Sequence, residues 1–424
     1  MYVNGYKWAI WVRHALVAVA LLLATAPAFA TEPEEEPLLS PLEAAREPVV
    51  IEHSATADDT PTNPVKPDSA AITPQHLQIL GEVIPPRTAR ALDWQVAATA
   101  TELDSPNRVL VVNGKNPGPT LCLTAAIHGD EINGIEIVRR VLHNMEPDKL
   151  SGALIGVPIV NREGFLRSSR YLGDRRDLNR HFPGNPSGSA ASRLAFTLFH
   201  DVISHCSYLV DLHTGSFQRI NIPQLRADLS RASVRTFTKG FGGITVLNNE
   251  GTPGTLRRAA MDAGIPTVTL EAGGPIHLDK AVVDYGTKAI ENVMHSLGMH
   301  SLMRFWLTPK PTYYQSTWIR SESSGILIST VGLGDTVSKF DVLGEVIDPI
   351  SSRMMEIRAP FDGQILGMAL DQFVSPGYAV YRIGIEASEE SVARPQPATS
   401  APLSAPMIID GPDEDSLELP DPEE

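Results

Sequence analysis

The chain places an imidazole and a carboxylate three positions apart, His128 and Glu131, directly after the apolar run from Leu121 to Ile127. On a loop or a first helical turn, that spacing lets both side chains converge on one point. Zinc takes neutral imidazole nitrogen and carboxylate oxygen together, and it is catalytic where a fourth position stays open for water. Alone, the pair is a weak signal, because a capping histidine or a polar pocket gives the same two letters. A second imidazole changes the balance: His213 closes another apolar run far downstream, too distant for a local zinc knuckle. The three residues together predict one Zn2+ per chain with three protein ligands, the composition of a hydrolytic site. His/Glu/His favours zinc over other divalent ions. Asp211, two residues before His213, reads as support for that ligand or as a buried, hydrogen-bonded carboxylate. Glu271 ends a third apolar run and is left free to act as general base and then acid in amide hydrolysis, the alternative being a cap on the turn that follows it. The loop between Asn161 and Asn185 holds Arg162, Arg167, Arg170, Arg175, Arg176 and Arg180. One arginine beside the metal would polarise a scissile carbonyl, and another would grip a substrate carboxylate. Arg175 and Arg176, beside Asp174 and Asp177, read as ordinary surface charges.

These residues need elements that deliver them to one edge. Val109–Val112 and Leu121–Ile127 read as strands around the turn signals Asn113-Gly114 and Pro117-Gly118-Pro119. Apolar residues at helical spacing predict a helix over 134–144, followed by an apolar run ending on Asn161. Helices are expected near 189–204 and 280–297, and strands over 207–215, 244–250 and 266–274. Apolar strands alternating with helices predict an α/β fold with a mixed, largely parallel sheet and helices on both faces. Ligands of such sheets bind at the C-terminal strand ends, which is where His128, Glu131, Asn161, His213 and Glu271 fall.

Composition sets the remaining bounds. The first thirty residues carry Lys7 and Arg13, then an apolar stretch, then Ala28-Phe29-Ala30, the pattern of an export signal cleaved after Ala30. The apolar stretch is short for a spanning helix, so the membrane is expected only as a passage during export to a periplasm. Residues 31–72 hold ten acidic and two basic side chains, and residues 386–424 hold eleven and one. Both flanks read as disordered acidic segments with unknown partners, which leaves the core nearly neutral. No Lys/Arg cluster interleaves with aromatics, so nucleic acid is excluded as a partner. Cys122 and Cys206 are too few for a disulfide framework. Each precedes a metal histidine, so their strands are candidate neighbours, with buried free thiols as the default expectation.

The runs HGDE, SRYLGDRRDLNRHFPG, DLHTG and LEAGG, in that order over Val109 to Leu297, resemble the succinylglutamate desuccinylase and aspartoacylase family, relatives of the zinc carboxypeptidases. The resemblance implies His128, Glu131 and His213 as zinc ligands and Glu271 as catalytic base. It further implies Arg170 as the carbonyl-polarising arginine and Asn179 with Arg180 as the grip on a substrate carboxylate. Such enzymes hydrolyse the acyl amide of an N-acyl amino acid. The segment between Arg170 and the DLNR run is slightly longer than in aspartoacylases.

After Trp306 the pattern becomes two copies of a Gly-turn and strand unit, which resemble the barrel-sandwich fold of biotinyl and lipoyl domains. The connecting hairpin, Asp348 to Pro360, has no lysine, which argues against a carrier. The expected order is therefore a signal peptide at 1–30, an acidic linker at 31–72, a zinc hydrolase domain at 73–304, an all-β barrel-sandwich domain at 305–385 and an acidic tail at 386–424. The expected activity is that of an exported deacylase of a small N-acyl amino acid. The rival readings are a metallocarboxypeptidase acting on short or cell-wall peptides, and an idle periplasmic scaffold.

Overall fold

The computed structural model of the chain describes residues 76–95, 107–301 and 311–393. The expected signal peptide, the acidic linker and most of the acidic tail lie outside them. Leu77–Ile79 (β1) and Glu82–Ile84 (β2) form a hairpin, followed by Thr88–Trp94 (β3), Asn107–Asn113 (β4), Asn116–Ala125 (β5) and Asn133–His143 (α1). Next come Ser151–Val157 (β6), Arg162–Leu166 (α2), Ala190–Asp201 (α3), Tyr208–His213 (β7), Arg219–Ala227 (β8) and Ala232–Lys239 (α4). Thr245–Asn248 (β9), Leu256–Asp262 (α5), Thr267–Gly273 (β10) and Lys280–Ser296 (α6) complete the first part. The second part comprises Thr312–Arg320 (β11), Gly325–Ser329 (β12), Thr336–Val337 (β13), Val342–Ile347 (β14), Met354–Arg358 (β15), Gly363–Ala369 (β16), Phe373–Val374 (β17), Ala379–Ala387 (β18) and Glu389–Ala393 (α7).

The centre of the main sheet runs β6, β5, β7, β10, all parallel. Leu121, Cys122 and Leu123 on β5 are all buried, so both faces of the strand are covered, which is why it reads as an unbroken apolar run rather than an alternating one. One face is covered by α1 and α6, whose Ile137, Val138, Val283 and Ile290 join Leu123 and Val210 in a single core. The opposite face packs α3 and α5 through Leu194, Leu198, Leu256 and Ala260 against Leu209 and Ile155. Each such aliphatic side chain taken out of water contributes about 1.5–3 kcal/mol, so this sandwich fixes where β5 and β7 end. Asp279 caps α6, accepting hydrogen bonds from the backbone N–H groups of Ala281 and Val282 at 2.8 and 3.2 Å.

Several expectations change. Cys122 and Cys206 are not free thiols but a disulfide with Cα atoms 5.7 Å apart. Cys122 lies on β5 and Cys206 just ahead of β7, and these strands pair in parallel, so the sulfurs meet across one ladder. Asn161 does not end a strand: β6 stops at Val157, and the Asn161 side chain caps α2 by accepting from Gly164 N–H at 2.8 Å. The strand β8 is additional to the expected set. It runs antiparallel to β10 and parallel to β9, so the sheet is more mixed than its apolar runs imply.

The second part continues the same sheet instead of starting a separate one. β11 pairs in parallel with β9, and β16 pairs with both β18 and β8, so β8, β9, β11, β18 and β16 close into a ring. A further four-stranded sheet has the order β15, β14, β12, β17. The boundary expected at 385 falls inside β18. The first residues assigned to the acidic tail finish that strand and form α7, where Val392 joins the main core and Tyr313 donates to Glu389 at 3.3 Å.

Candidate metal centre and active site

β5 ends at Ala125, and the chain turns sharply, with Ala126 at φ 50°, to bring His128 and Glu131 back under the strand ends. Gly129 is required here by space: a Cβ on it would lie 2.0 Å from the backbone carbon of Gly164. His213 is the last residue of β7, beside the end of β5. Glu131 lies between the two imidazoles, with Oε1 2.9 Å from His128 Nδ1 and Oε2 2.9 Å from His213 Nδ1. Possible ligand atoms of these three residues all fall within 4.8 Å of one another, and each residue is no more than 4 % exposed.

The far side of each imidazole is also held. His213 Nε2 is 2.8 Å from Asp211 Oδ2, and Asp211 Oδ1 accepts from Thr124 Oγ1 at 2.7 Å. His128 Nε2 is 3.1 Å from Asp177 Oδ1. Asp211 thus supports the histidine, the first of the two roles open to it. Burial would lower both imidazoles, but Asp211 with Glu131 raises His213 well above its ordinary value. Glu131 with Asp177 raises His128 despite the opposing Arg170 charge. Burial would raise Glu131, but the two imidazoles pull it well below the usual carboxylate range. The site therefore calls for positive charge around Glu131. A divalent cation would supply it: His128, Glu131 and His213 offer two imidazole nitrogens and a carboxylate oxygen, with a further carboxylate behind each ring, so the residues present fit zinc.

Of the six loop arginines, Arg170 and Arg180 reach this place. Arg170 is 6 % exposed, and it donates to Asp177 Oδ2 through Nε at 3.1 Å and Nη2 at 2.7 Å. Its Nη1 donates to Ser216 Oγ at 2.5 Å and lies 3.1 Å from His128 Nδ1. Asn161 steadies it by donating to the Arg170 carbonyl at 3.3 Å. Arg180 lies on the same side of the site, 3.9 Å from Asp177 Oδ2, and donates to the Asn179 carbonyl at 2.9 Å. Asn179 spends its Oδ1 on the Leu256 N–H at 2.8 Å, which ties the loop to the start of α5. Arg176 makes an exposed pair with Asp174 as expected of a surface charge. Asp177 does not belong with them: it is buried, and His128 and Arg170 outweigh the effect of burial to hold its carboxyl well below the ordinary range.

Glu271, near the end of β10, lies directly across the ladder from His213, so both side chains share one face. It is 6 % exposed, with Oε1 3.4 Å from Arg226 Nε and Oε2 3.4 Å from Asn221 Nδ2. Sequence reasoning missed Asn221, Arg226, Ser216 and the true role of Asp177. Ser216 donates to Glu131 Oε1 at 3.0 Å, and Thr214 N–H donates to Oε2 at 3.1 Å. The Asp177 signal was present in the DLNR run itself, whereas nothing in the letters around Asn221 and Arg226 marks them as neighbours of Glu271.

Residues 117–297 match the family model of the succinylglutamate desuccinylase/aspartoacylase catalytic domain. The N-alpha-acetyl-L-2,4-diaminobutyric acid deacetylase of Halomonas elongata is 25 % identical over 281 residues, 62 % of this chain and 81 % of that protein. The product-bound ectoine utilization protein EutE of Ruegeria pomeroyi superimposes with a TM-score of 0.64 at 24 % identity, over 71 % of this chain and 97 % of its own. A succinylglutamate desuccinylase from Silicibacter gives 0.63 at 23 %, over 72 % and 97 %. At those identities the two structures speak for the fold.

Proposed function

We propose that this chain, whose residues 117–297 match the succinylglutamate desuccinylase/aspartoacylase catalytic domain, is an exported, zinc-dependent amidohydrolase that converts an N-acyl amino acid and water to a carboxylic acid and a free amine. The observation that carries the reading is the convergence of His128, Glu131, His213, Arg170 and Glu271 at one strand edge. A zinc ion held by His128, Glu131 and His213 supplies Lewis-acid activation of water and carbonyl. Arg170, fixed by Asp177 and Ser216, directs Nη1 toward the position of a substrate carbonyl and stabilises charge that develops on its oxygen. Glu271 takes a proton from the attacking water and returns it to the leaving nitrogen. Arg226 Nε and Asn221 Nδ2, each 3.4 Å from its carboxylate, hold Glu271 at that edge. Arg180 binds the substrate carboxylate, and Asn179 anchors the loop that carries it.

The curated relative acts on an N-acetylated diamino acid by its name, which supports a small N-acyl amino acid here. Burial of the whole cluster supports the same choice over a peptide groove. We read the strands after Thr312 as a barrel-sandwich-like unit without carrier function. Export is supported by the Cys122–Cys206 disulfide, because such bonds persist in oxidising compartments.

Elemental analysis of the purified chain, alone and as His128→Ala, tests the metal, and amine release from a panel of N-acyl amino acids tests the chemistry. About one zinc per chain, lost in the variant, with release abolished by Glu271→Gln, is the expected result. A folded parent without stoichiometric metal would overturn the proposal.

A further inference from the structure

Two turns beside the ligand loop hold large apolar residues in the left-handed region, where side chains other than glycine are strained. Phe217 has φ 54° and Gln218 φ 57° on the loop after His213, and Ile276 has φ 69° on the loop after Glu271. Ile276 is β-branched, which makes the conformation rarer still. Each turn is tied to residues of the metal centre. Ile276 N–H donates to the Asp130 carbonyl at 2.7 Å, between the ligands His128 and Glu131. The residue before Phe217 is Ser216, which touches both Glu131 and Arg170. The Phe217 turn is also clamped from the second part of the chain. Gln218 O accepts from Leu370 N–H at 2.8 Å and from Gln372 Nε2 at 3.0 Å, and Phe217 O accepts from the Tyr378 hydroxyl.

The strain is not spent on burying the side chains. Phe217 is 37 % exposed, Ile276 50 % and neighbouring Leu278 55 %. The Phe217 ring centre lies 5.3 Å from the Arg170 guanidinium carbon and 5.8 Å from that of Arg219, so the ring packs on the arginine that faces the carbonyl and is held there by a second one. The deep part of the site, by contrast, is made of charged groups. We infer that Phe217 and Ile276 form the apolar wall of an acyl subsite, so that the preferred substrate carries an extended hydrocarbon acyl chain rather than acetyl or a dicarboxylate. The assignment rests on the proposed amidohydrolase activity and on Arg170 marking the carbonyl side. A chain attached to that carbonyl passes over Phe217, while Arg180 keeps the amino-acid carboxylate on the polar side.

The test is kcat/KM for acetyl, butanoyl, hexanoyl and octanoyl derivatives of one amino acid. A buried methylene is worth up to about four-fold, so a rise of roughly two- to four-fold per added methylene is expected over the first few carbons. In Phe217→Ala the octanoyl-to-acetyl ratio falls about ten-fold or more, and Phe217→Leu restores most of it, with the change in KM rather than kcat. A parent that prefers acetyl, or a ratio unmoved in Phe217→Ala, overturns the inference and leaves the hydrolase standing. Absence of amine release from every derivative refutes the hydrolase instead. Calorimetric binding of the same series to the metal-loaded chain then decides the subsite: affinity rising with chain length supports it, and flat affinity refutes it.

Discussion

Replacing Asp177 by Asn changes one buried atom and two arrangements that meet there. Oδ1 faces His128 Nε2 at 3.1 Å and accepts from Asn179 N–H at 2.8 Å, and Asn retains an oxygen for both. Oδ2 accepts from Arg170 Nε and Nη2, and in the variant an NH2 group faces those two donors. The guanidinium then keeps its Ser216 contact and Glu131 Oε1 at 3.6 Å but loses the Asp177 counter-charge at a side chain only 5 % exposed. Breaking a buried pair from one side costs about 3–5 kcal/mol. The retained contact argues for the lower end, about 3 kcal/mol, or roughly a hundred-fold in the folding equilibrium. Separately, loss of the carboxylate behind His128 is expected to weaken metal binding about 10–100-fold. Urea unfolding in the presence of chelator measures the first effect, and competition with a chromogenic chelator measures the second. Asp174→Asn, which breaks only an exposed pair with Arg176, is expected to change neither by more than about 0.5 kcal/mol. If Asp177→Asn behaved like Asp174→Asn in both assays, the assignment of Asp177 as the residue that positions His128 and Arg170 would fail.

Two further outcomes follow from packing. The Cys122–Cys206 bond closes a loop with a sequence separation of 84 residues, for which chain entropy alone gives about 4.5 kcal/mol. The double Cys→Ala variant is expected to lose about 2–4 kcal/mol in urea unfolding, and a loss below about 0.5 kcal/mol would show that the bond does not constrain the unfolded chain. Tyr313 is pushed up to about 12 by burial and then by Glu389. Its neutral form is favoured by folding, so the stability it contributes is complete below the unfolded phenol value near 10 and is lost as pH rises through about 12. Ultraviolet titration should show one tyrosine ionising late, and earlier in Glu389→Gln; an unchanged titration would refute docking of α7 on β11.

The candidate ligand set was legible because its members stand at the ends of apolar runs, where a change from hydrophobic to polar is loud. His128, Glu131, His213 and Glu271 all lie at such ends, and the structure brings the first three within bonding reach of one ion. The groups that hold them were not legible for the opposite reason. Asp177 stands among Asp174, Arg175 and Arg176, and only its burial separates it from a surface charge. Asn161 was placed at the right edge but given the wrong work, since a cap and a strand end look alike in one letter.

The strand β8 shows why the fold itself was only partly readable. Its sequence, Arg219 to Ala227, carries Arg219, Asn221, Gln224 and Arg226, and Pro223 interrupts any alternation. The register against β10 shifts between the Glu271–Gln224 and Gly273–Asn221 pairs, which is where a residue lacking an N–H donor is tolerated. That irregularity lets Asn221 as well as Arg226 approach Glu271. It also leaves β8 able to pair with β16 at Gly367, where a Cβ would lie 2.4 Å from Asn221 Oδ1. A regular apolar strand in this place would have been easy to read and would have taken Asn221 and Arg226 away from Glu271. The features that hid β8 in the sequence are therefore the ones that join Glu271, the sheet and the second part of the chain, and the Phe217 clamp from Leu370, Gln372 and Tyr378 depends on that junction.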